Sequence, residues 1–233
     1  MCTVSFVSVP NGFVITSNRD EKIYRATIAP QIYDEGNCKL LYPKDEIAGG
    51  TWIVARNDGA CIVLLNGAFV SHQKQEKYKK SRGQILLEII QNKFPLLYFL
   101  EMDMDGIEPF TLIIFQHKTL TEVKWDGLEK QQFEKSIKQP HIWSSATLYN
   151  RKQKLIRKQW FIEFCRYNNP LTIDKIRLFH TKTQASNNEY GLVINREDET
   201  KTVSITQLLI KNVSLEMSYY DRINNTSYEN ITF

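Results

Sequence analysis

Met1-Cys2-Thr3-Val4-Ser5-Phe6-Val7-Ser8-Val9-Pro10-Asn11-Gly12-Phe13-Val14-Ile15-Thr16-Ser17-Asn18-Arg19-Asp20-Glu21 is the stretch from which the rest of the chain can be read. Residues 3–9 are rich in Val, Ser and Phe and alternate loosely, as a strand does. Pro10-Asn11-Gly12 has strong turn chemistry, and residues 13–17 return as a second strand. Opposed residues of a hairpin have nearly constant number sums, and a turn centred on residue 11 makes that sum about 22. Cys2 is then expected near Asp20, with Arg19 beside it.

That juxtaposition carries chemistry. Methionine aminopeptidase trims Met before a small residue, and Cys qualifies, so loss of Met1 would leave a terminal thiol and a free α-amine. An α-amine of pKa about 7.7–8.0 can take the thiol proton near neutrality, and amine-assisted terminal nucleophiles serve covalent acyl transfer. A neighbouring cation lowers a thiol pKa from about 8.5, a role open to Arg19. Asp20 could hold the new ammonium or orient Arg19.

A second hairpin is expected from Thr51–Arg56, the turn Asn57-Asp58-Gly59 and Ala60–Leu65, with a number sum of about 116. Its open end carries Gly49-Gly50-Thr51 and Asn66-Gly67. Further along, Ile85, Leu86, Ile89 and Ile90 mark a helix over 81–94 with Ser81 as N-cap, and Pro95 suits the first position of another. Phe110–His117 and Leu120–Trp125 read as a strand pair, and His141–Thr147 as a short strand. Residues 149–167 read as a basic amphipathic helix with Leu155, Ile156, Trp160 and Phe164 on one face, stopped by Asn168-Asn169-Pro170. Tyr190–Ile194 and Thr202–Thr206 read as a late hairpin, and Val213–Tyr220 as a last strand. Many antiparallel strands with helical blocks predict an α+β layered fold. No linker or repeat divides residues 1–233, so a single domain is expected.

Cys2, Thr3, the run Ser17-Asn18-Arg19-Asp20-Glu21 and Gly49-Gly50-Thr51-Trp52 together resemble the NRDE family, the transport-and-Golgi-organisation group. Tyr42-Pro43-Lys44-Asp45, Leu65-Asn66-Gly67-Ala68-Phe69 and Ser81-Arg82-Gly83 add to the likeness over about the first 85 residues, and Trp143–Tyr149 extends it weakly. The resemblance implies the N-terminal-nucleophile hydrolase fold, a four-layer αββα sandwich with two stacked antiparallel sheets. It further implies Cys2 as nucleophile, Arg19 and Asp20 as its partners, and Asn66 as an oxyanion donor. Asn18, Thr51, Trp52 and Ser145 are the expected substrate-binding set, although Ser145 stands where many relatives carry an amide.

The function expected is a cysteine amidohydrolase for a small non-peptide amide. The alternative implied by the same group is a non-catalytic carrier of haem or a lipid-like ligand in the same pocket. No cofactor and no metal site is expected, because His72, His117, His141 and His180 share no motif and the loop with Glu101, Asp103 and Asp105 lacks the other ligands of a calcium loop. The pair Gly49-Gly50 precedes no helix and is no nucleotide fingerprint.

Apolar residues make up 42% and charged residues 24% of 233, an ordinary globular balance. A net charge of +4 does not call for nucleic acid, and the basic run 151–158 reads as a solvated helix face. The start lacks a signal-peptide pattern, and no apolar run approaches the ~18 residues of a membrane span, so a cytoplasmic location is expected. Cys61 and Cys165 lie on apolar patterns and read as inert core thiols, whereas Cys38 lies in a polar stretch and reads as an ordinary free thiol.

Overall fold

A computed structural model describes residues 3–211 and 214–233. In chain order its strands begin with β1 (Thr3–Val9), β2 (Gly12–Lys22), β3 (Thr27–Asp34), β4 (Lys39–Asp45), β5 (Ile53–Arg56) and β6 (Cys61–Asn66). Helices α1 (Arg82–Gln91) and α2 (Pro95–Glu101) follow, then β7 (Phe110–Gln116), β8 (Thr119–Trp125), β9 (Lys130–Lys135) and β10 (His141–Ser144). Helices α3 (Arg151–Tyr167) and α4 (Ile173–Lys182) precede β11 (Thr200–Ile210), β12 (Leu215–Asp221) and β13 (Thr226–Ile231).

The strands form two antiparallel sheets, β10-β1-β2-β11-β12-β13 and β3-β4-β5-β6-β7-β8-β9. Alternation along each strand sends one set of apolar side chains between the sheets and the other toward helices. Val4, Phe6, Ile15 and Leu208 of the first sheet meet Ile53, Val63, Ile113 and Phe115 of the second in the inner core. On the far side of the second sheet, Leu40, Val54 and Ile62 pack against Ile85, Leu86 and Ile89 of α1 and Phe99 of α2. On the far side of the first, Val7 and Val14 pack against Phe161 of α3 and Ile176 and Phe179 of α4. Three apolar seams between four layers make this the αββα sandwich of N-terminal-nucleophile hydrolases.

Both expected N-terminal hairpins form. Thr3 opposes Asn18 and Val9 opposes Gly12, a constant sum of 21 in place of 22, because the two-residue turn is centred between residues 10 and 11. The β5–β6 hairpin keeps the sum of 116, with Ile53 opposite Val63. Ser81 caps α1 in a reciprocal box with Gln84, and Pro95 opens α2.

Other elements differ from expectation. In α3 the buried stripe is Arg157 and Phe161, with Trp160 and Phe164 packed alongside, while Leu155 is 59% exposed. A cation occupies a core position because its guanidinium meets the Ser144 hydroxyl (3.0 Å), the Tyr190 carbonyl (2.7 Å), the Gly191 carbonyl (2.6 Å) and the Thr3 hydroxyl. Residues 190–194 form turns rather than a strand. Their expected partner belongs to the longer β11, which pairs with β2 from Thr200–Lys22 to Ile210–Phe13. The expected start of the last strand at Val213 lies outside the described residues. Strands β3, β4, β9 and β13 and helix α4 were not expected, although Ile173, Ile176, Phe179 and His180 recur at helical spacing in α4.

His180 of α4 ties its helix to the first sheet. It is fully buried, and its Nδ1 lies 2.7 Å from Asn18 Oδ1 while its Nε2 lies 2.7 Å from the Ser5 hydroxyl. The Asn18 amide nitrogen donates to the carbonyls of His180 (3.2 Å) and Leu192 (2.6 Å), so Asn18 Oδ1 is the acceptor and Nδ1 carries the proton. Ser5, His180 and Asn18 thus repeat the order of a hydrolytic triad, yet each is shut off from solvent and the group acts as a structural pin. Burial, with a smaller contribution from Arg157, pushes the His180 pKa down to about 3.

The sign of the linkage follows. Below the unfolded value of about 6.5 the unfolded chain takes a proton that the folded one refuses, so stability holds above that pH and falls below it, by up to about 1.4 kcal/mol per pH unit. Urea titrations at about pH 7.5 and pH 5 should show this loss, and His180→Gln should flatten it. An unchanged slope in the variant would rule out the neutral buried imidazole.

Candidate functional site

The run Ser17–Glu21 ends β2, and strand alternation splits it between two environments. Asn18 and Asp20 turn toward the helices: Asn18 holds His180, and Asp20 accepts from the Tyr149 hydroxyl (2.9 Å) and the Thr202 hydroxyl (2.5 Å). Arg19 turns the other way, toward the second sheet. It is 2% exposed, and its guanidinium donates to the Arg25 carbonyl (3.0 Å), the Thr27 hydroxyl (2.6 Å) and the Asp45 carboxylate. Its Cζ stands 4.5 Å from the centre of the Trp52 ring.

Asp45 is shared, since Arg25 Nη2 lies 2.8 Å from the same oxygen. Burial alone would raise the Asp45 pKa, but the Ala48 amide, Arg19 and Arg25 outweigh it and hold the carboxyl below its ordinary range. Burial likewise pulls Arg19 down against the attraction of Asp45.

Arg19, Thr51, Trp52 and Asn66 line one cleft of about 160 Å³, together with Arg25, Arg82, Glu21, Asp45 and Glu108. Close backbone contact builds its far wall. A Cβ on Gly50 would stand 2.5 Å from the Gly83 carbonyl carbon, and one on Gly83 would stand 2.7 Å from the Thr51 oxygen. Only two facing glycines let the strand entry at Thr51 touch the first turn of α1, which brings Arg82 to the cleft. Arg82 pairs with Glu108 (3.1 Å), itself 3.1 Å from His72. The Thr51 hydroxyl is spent on the Pro43 carbonyl (2.6 Å), so this residue shapes the wall.

Asn66 closes β6. Its backbone oxygen accepts from the Ala146 amide (3.1 Å) and the Ser145 hydroxyl (2.9 Å), while its carboxamide has no hydrogen-bond partner among the described residues. Ser145 is fully buried and also meets the Thr147 hydroxyl (2.9 Å), so it reaches the cleft through Asn66 rather than by lining it.

Of the expected site residues, the cleft therefore gathers Arg19, Thr51, Trp52 and Asn66. Asn18, Asp20 and Ser145 lie behind its walls, and Cys2 lies outside the described residues. Sequence reasoning missed Arg25, Asp45, Arg82 and Glu108 as members of the site. Asp45 and Arg82 stood in motifs already noticed, Asp45 at the end of β4 two residues after Pro43 and Arg82 before Gly83 at the start of α1.

The other thiols are muted by burial. It raises the pKa of Cys61 strongly and that of Cys165 to about 12. Cys38 packs partly against the α1 seam and is raised as well, against the expectation of an ordinary free thiol. Among the described residues no cluster of three or more His, Cys, Asp or Glu could hold a metal ion, and no helix is long and apolar enough to cross a membrane.

The profile of the family described as "Transport and Golgi organisation 2" matches residues 1–225. No curated protein matches the chain in sequence. Solved structures share its fold. A Caenorhabditis elegans N-acylethanolamine-hydrolyzing acid amidase ortholog superposes with a TM-score of 0.60 at 11% identity, covering 89% of this chain and 92% of its own. Penicillin V acylase from Agrobacterium tumefaciens gives 0.58 at 10%, covering 97% and 84%. A mutant conjugated bile acid hydrolase from Clostridium perfringens gives 0.55 at 9%, covering 100% and 96%.

Removing one partner of a buried ion pair leaves an uncompensated charge, at a cost of about 3–5 kcal/mol. Asp45→Asn should destabilise the protein by about that much in urea unfolding, and Arg19→Met with Asp45→Asn should cost less than the sum of the two single changes. Additive losses would mean that Arg19 does not depend on Asp45.

Proposed function

Because the chain belongs to the Transport and Golgi organisation 2 family, with the fold of N-terminal-nucleophile hydrolases, we propose that it is a cysteine amidohydrolase of small non-peptide amides. The observation that carries this reading is the Asn66 carboxamide, which has no hydrogen-bond partner among the described residues and shares a cleft with a buried guanidinium at the open end of the β1–β2 hairpin. The described register of that hairpin opens with Thr3 opposite Asn18, the neighbour of Arg19.

In this reading Cys2, freed by loss of Met1, gives its thiol proton to its own α-amine. The thiolate sulfur attacks the amide carbon, and the oxygen takes up the negative charge. Asn66 donates to that oxygen, an interaction of roughly 3–4 kcal/mol where such donors have been removed. Collapse breaks the C–N bond, and the ammonium returns its proton to the departing amine. Water then attacks the thioester carbon, giving a carboxylic acid and restoring the thiol. Arg19 favours the thiolate. Asp20 steadies the ammonium, and Thr51 and Trp52 bound the substrate, while Asn18 and Ser145 hold the walls in place.

The cleft is small beside the roughly 300–1,000 Å³ of drug-sized ligand sites, which favours a small amide. Its three guanidiniums and three carboxylates are a poor match for the apolar faces of haem or a lipid, so a carrier role for this cleft is the weaker reading.

Protein made in its native cell should have the mass of a chain lacking Met1. Amine release from a panel of small N-acyl compounds should vanish in Cys2→Ala, and Asn66→Ala should lower kcat about 100-fold. Iodoacetamide should label Cys2 faster than Cys38 at neutral pH, and Arg19→Ala should slow it. Turnover that survives Cys2→Ala would sink the proposal.

A further inference from the structure

A second concavity opens between β10, an edge of the first sheet, and β8 of the second, beneath α3. It measures about 320 Å³ and shares no lining residue with the cleft. It runs on through Phe69, Ala146, Arg151 and Lys154 into an adjoining hollow of about 540 Å³. Together they fall in the size range of ligand sites.

Two features of the lining are unusual in combination. The first is charge. Among the described residues Glu122 is the only carboxylate lining the groove, and Lys124 and Lys135, each 2.9 Å away, pair with it. Arg151, Lys154 and Lys158 line the same groove and form no ion pair among the described residues. Lys154 is only partly exposed and donates to nothing but the Phe69 carbonyl, at 3.3 Å. Burial and the neighbouring Lys124 weaken its hold on its proton, and the smaller attraction of Glu122 does not outweigh them. Gathering like charges in a half-desolvated trough is unfavourable unless an anion joins them.

The second feature is apolar surface left in water. Leu155 is 59% exposed and Phe69 43% exposed, and both border the groove, with Trp143 and Ile142 on its floor. An ordinary solvated basic face would turn its apolar residues inward. Here Arg157 is the residue turned inward, and Leu155 faces the groove between Arg151, Lys154 and Lys158.

We propose that this groove binds a single-chain anionic amphiphile, with the apolar chain along Phe69, Trp143 and Leu155 and the anionic head among Arg151, Lys154 and Lys158. A bare anion would leave the apolar wall in water, and a neutral chain would leave the cations uncompensated. One molecule carrying both satisfies both.

Calorimetric titration of the full chain with dodecanoate at monomeric concentrations tests this. Saturable binding at one site is expected. Acetate has the head without the chain, and dodecyltrimethylammonium has the chain with the opposite charge; neither should bind measurably. Arg151→Glu with Lys158→Glu, and separately Leu155→Gln, should each weaken dodecanoate at least tenfold. All three positions are exposed on α3, and should a variant fail to fold, the two control ligands on the unaltered protein decide alone. Equal binding of dodecyltrimethylammonium, dodecanoate affinity untouched by the charge reversal, or binding only to anionic phospholipid vesicles would each overturn the proposal.

Discussion

A guanidinium sealed between two sheets must be neutralised where it lies, because an unpaired charge in that setting costs several kcal/mol. Arg19 meets this demand by drawing on both sheets at once. It belongs to β2 of the first, while the Thr27 hydroxyl and the Asp45 carboxylate that receive it belong to β3 and β4 of the second, and Trp52, entering β5, lends its face. The inner apolar core would tolerate some sliding, since burial is not directional. The Arg19 fork is directional, and it fixes the height at which the sheets meet. The cleft is the open space left beside that clamp.

The opposite face of the first sheet is organised by a different rule. There the polar groups of β1 and β2 point at helices rather than at another sheet. Thr3 and Ser5 meet Arg157 and His180, one from each helix, and Asn18 secures the second of these. Neither helix is held by apolar contact alone. Polar side chains that alternate with Val4 and Phe6 are therefore not a solvated edge but a second interface, made of hydrogen bonds whose partners arrive from residues 157 and 180.

This explains what could be read from the sequence. Hairpins are local, so the turn chemistry of Pro10-Asn11 and Asn57-Asp58-Gly59 fixes their registers, and both were legible to within one residue. The caps at Ser81 and Pro95 are equally local. The face of α3 was misread because Arg157 breaks the apolar stripe, and its acceptors are carbonyls near residue 190 that no pattern in α3 announces. Strands such as β9 and β13 are mostly exposed edges without a buried face to impose a period. In the cleft, Arg19, Thr51, Trp52 and Asn66 were found through motifs, while Arg25 and Glu108 enter through long-range packing. Which face of β2 each of Asn18, Arg19 and Asp20 occupies follows from alternation, but only once the inner side of the strand is known.

The place of β1 and β2 within their sheet bears on how the protein is made. The first residues of the chain are not an edge: β1 lies between β2 and β10, and β2 lies between β1 and β11. Residues 3–22 are made well before their outer partners, which lie at 141–144 and 200–210. The hairpin can form early, but β1 waits for β10 beyond the middle of the chain and β2 waits for β11 near its end, a topology of long sequence separations that slows folding. The strand that carries Arg19 is flanked on both sides only once β11 has been made, so the wall of the cleft is completed by one of the last stretches of the chain.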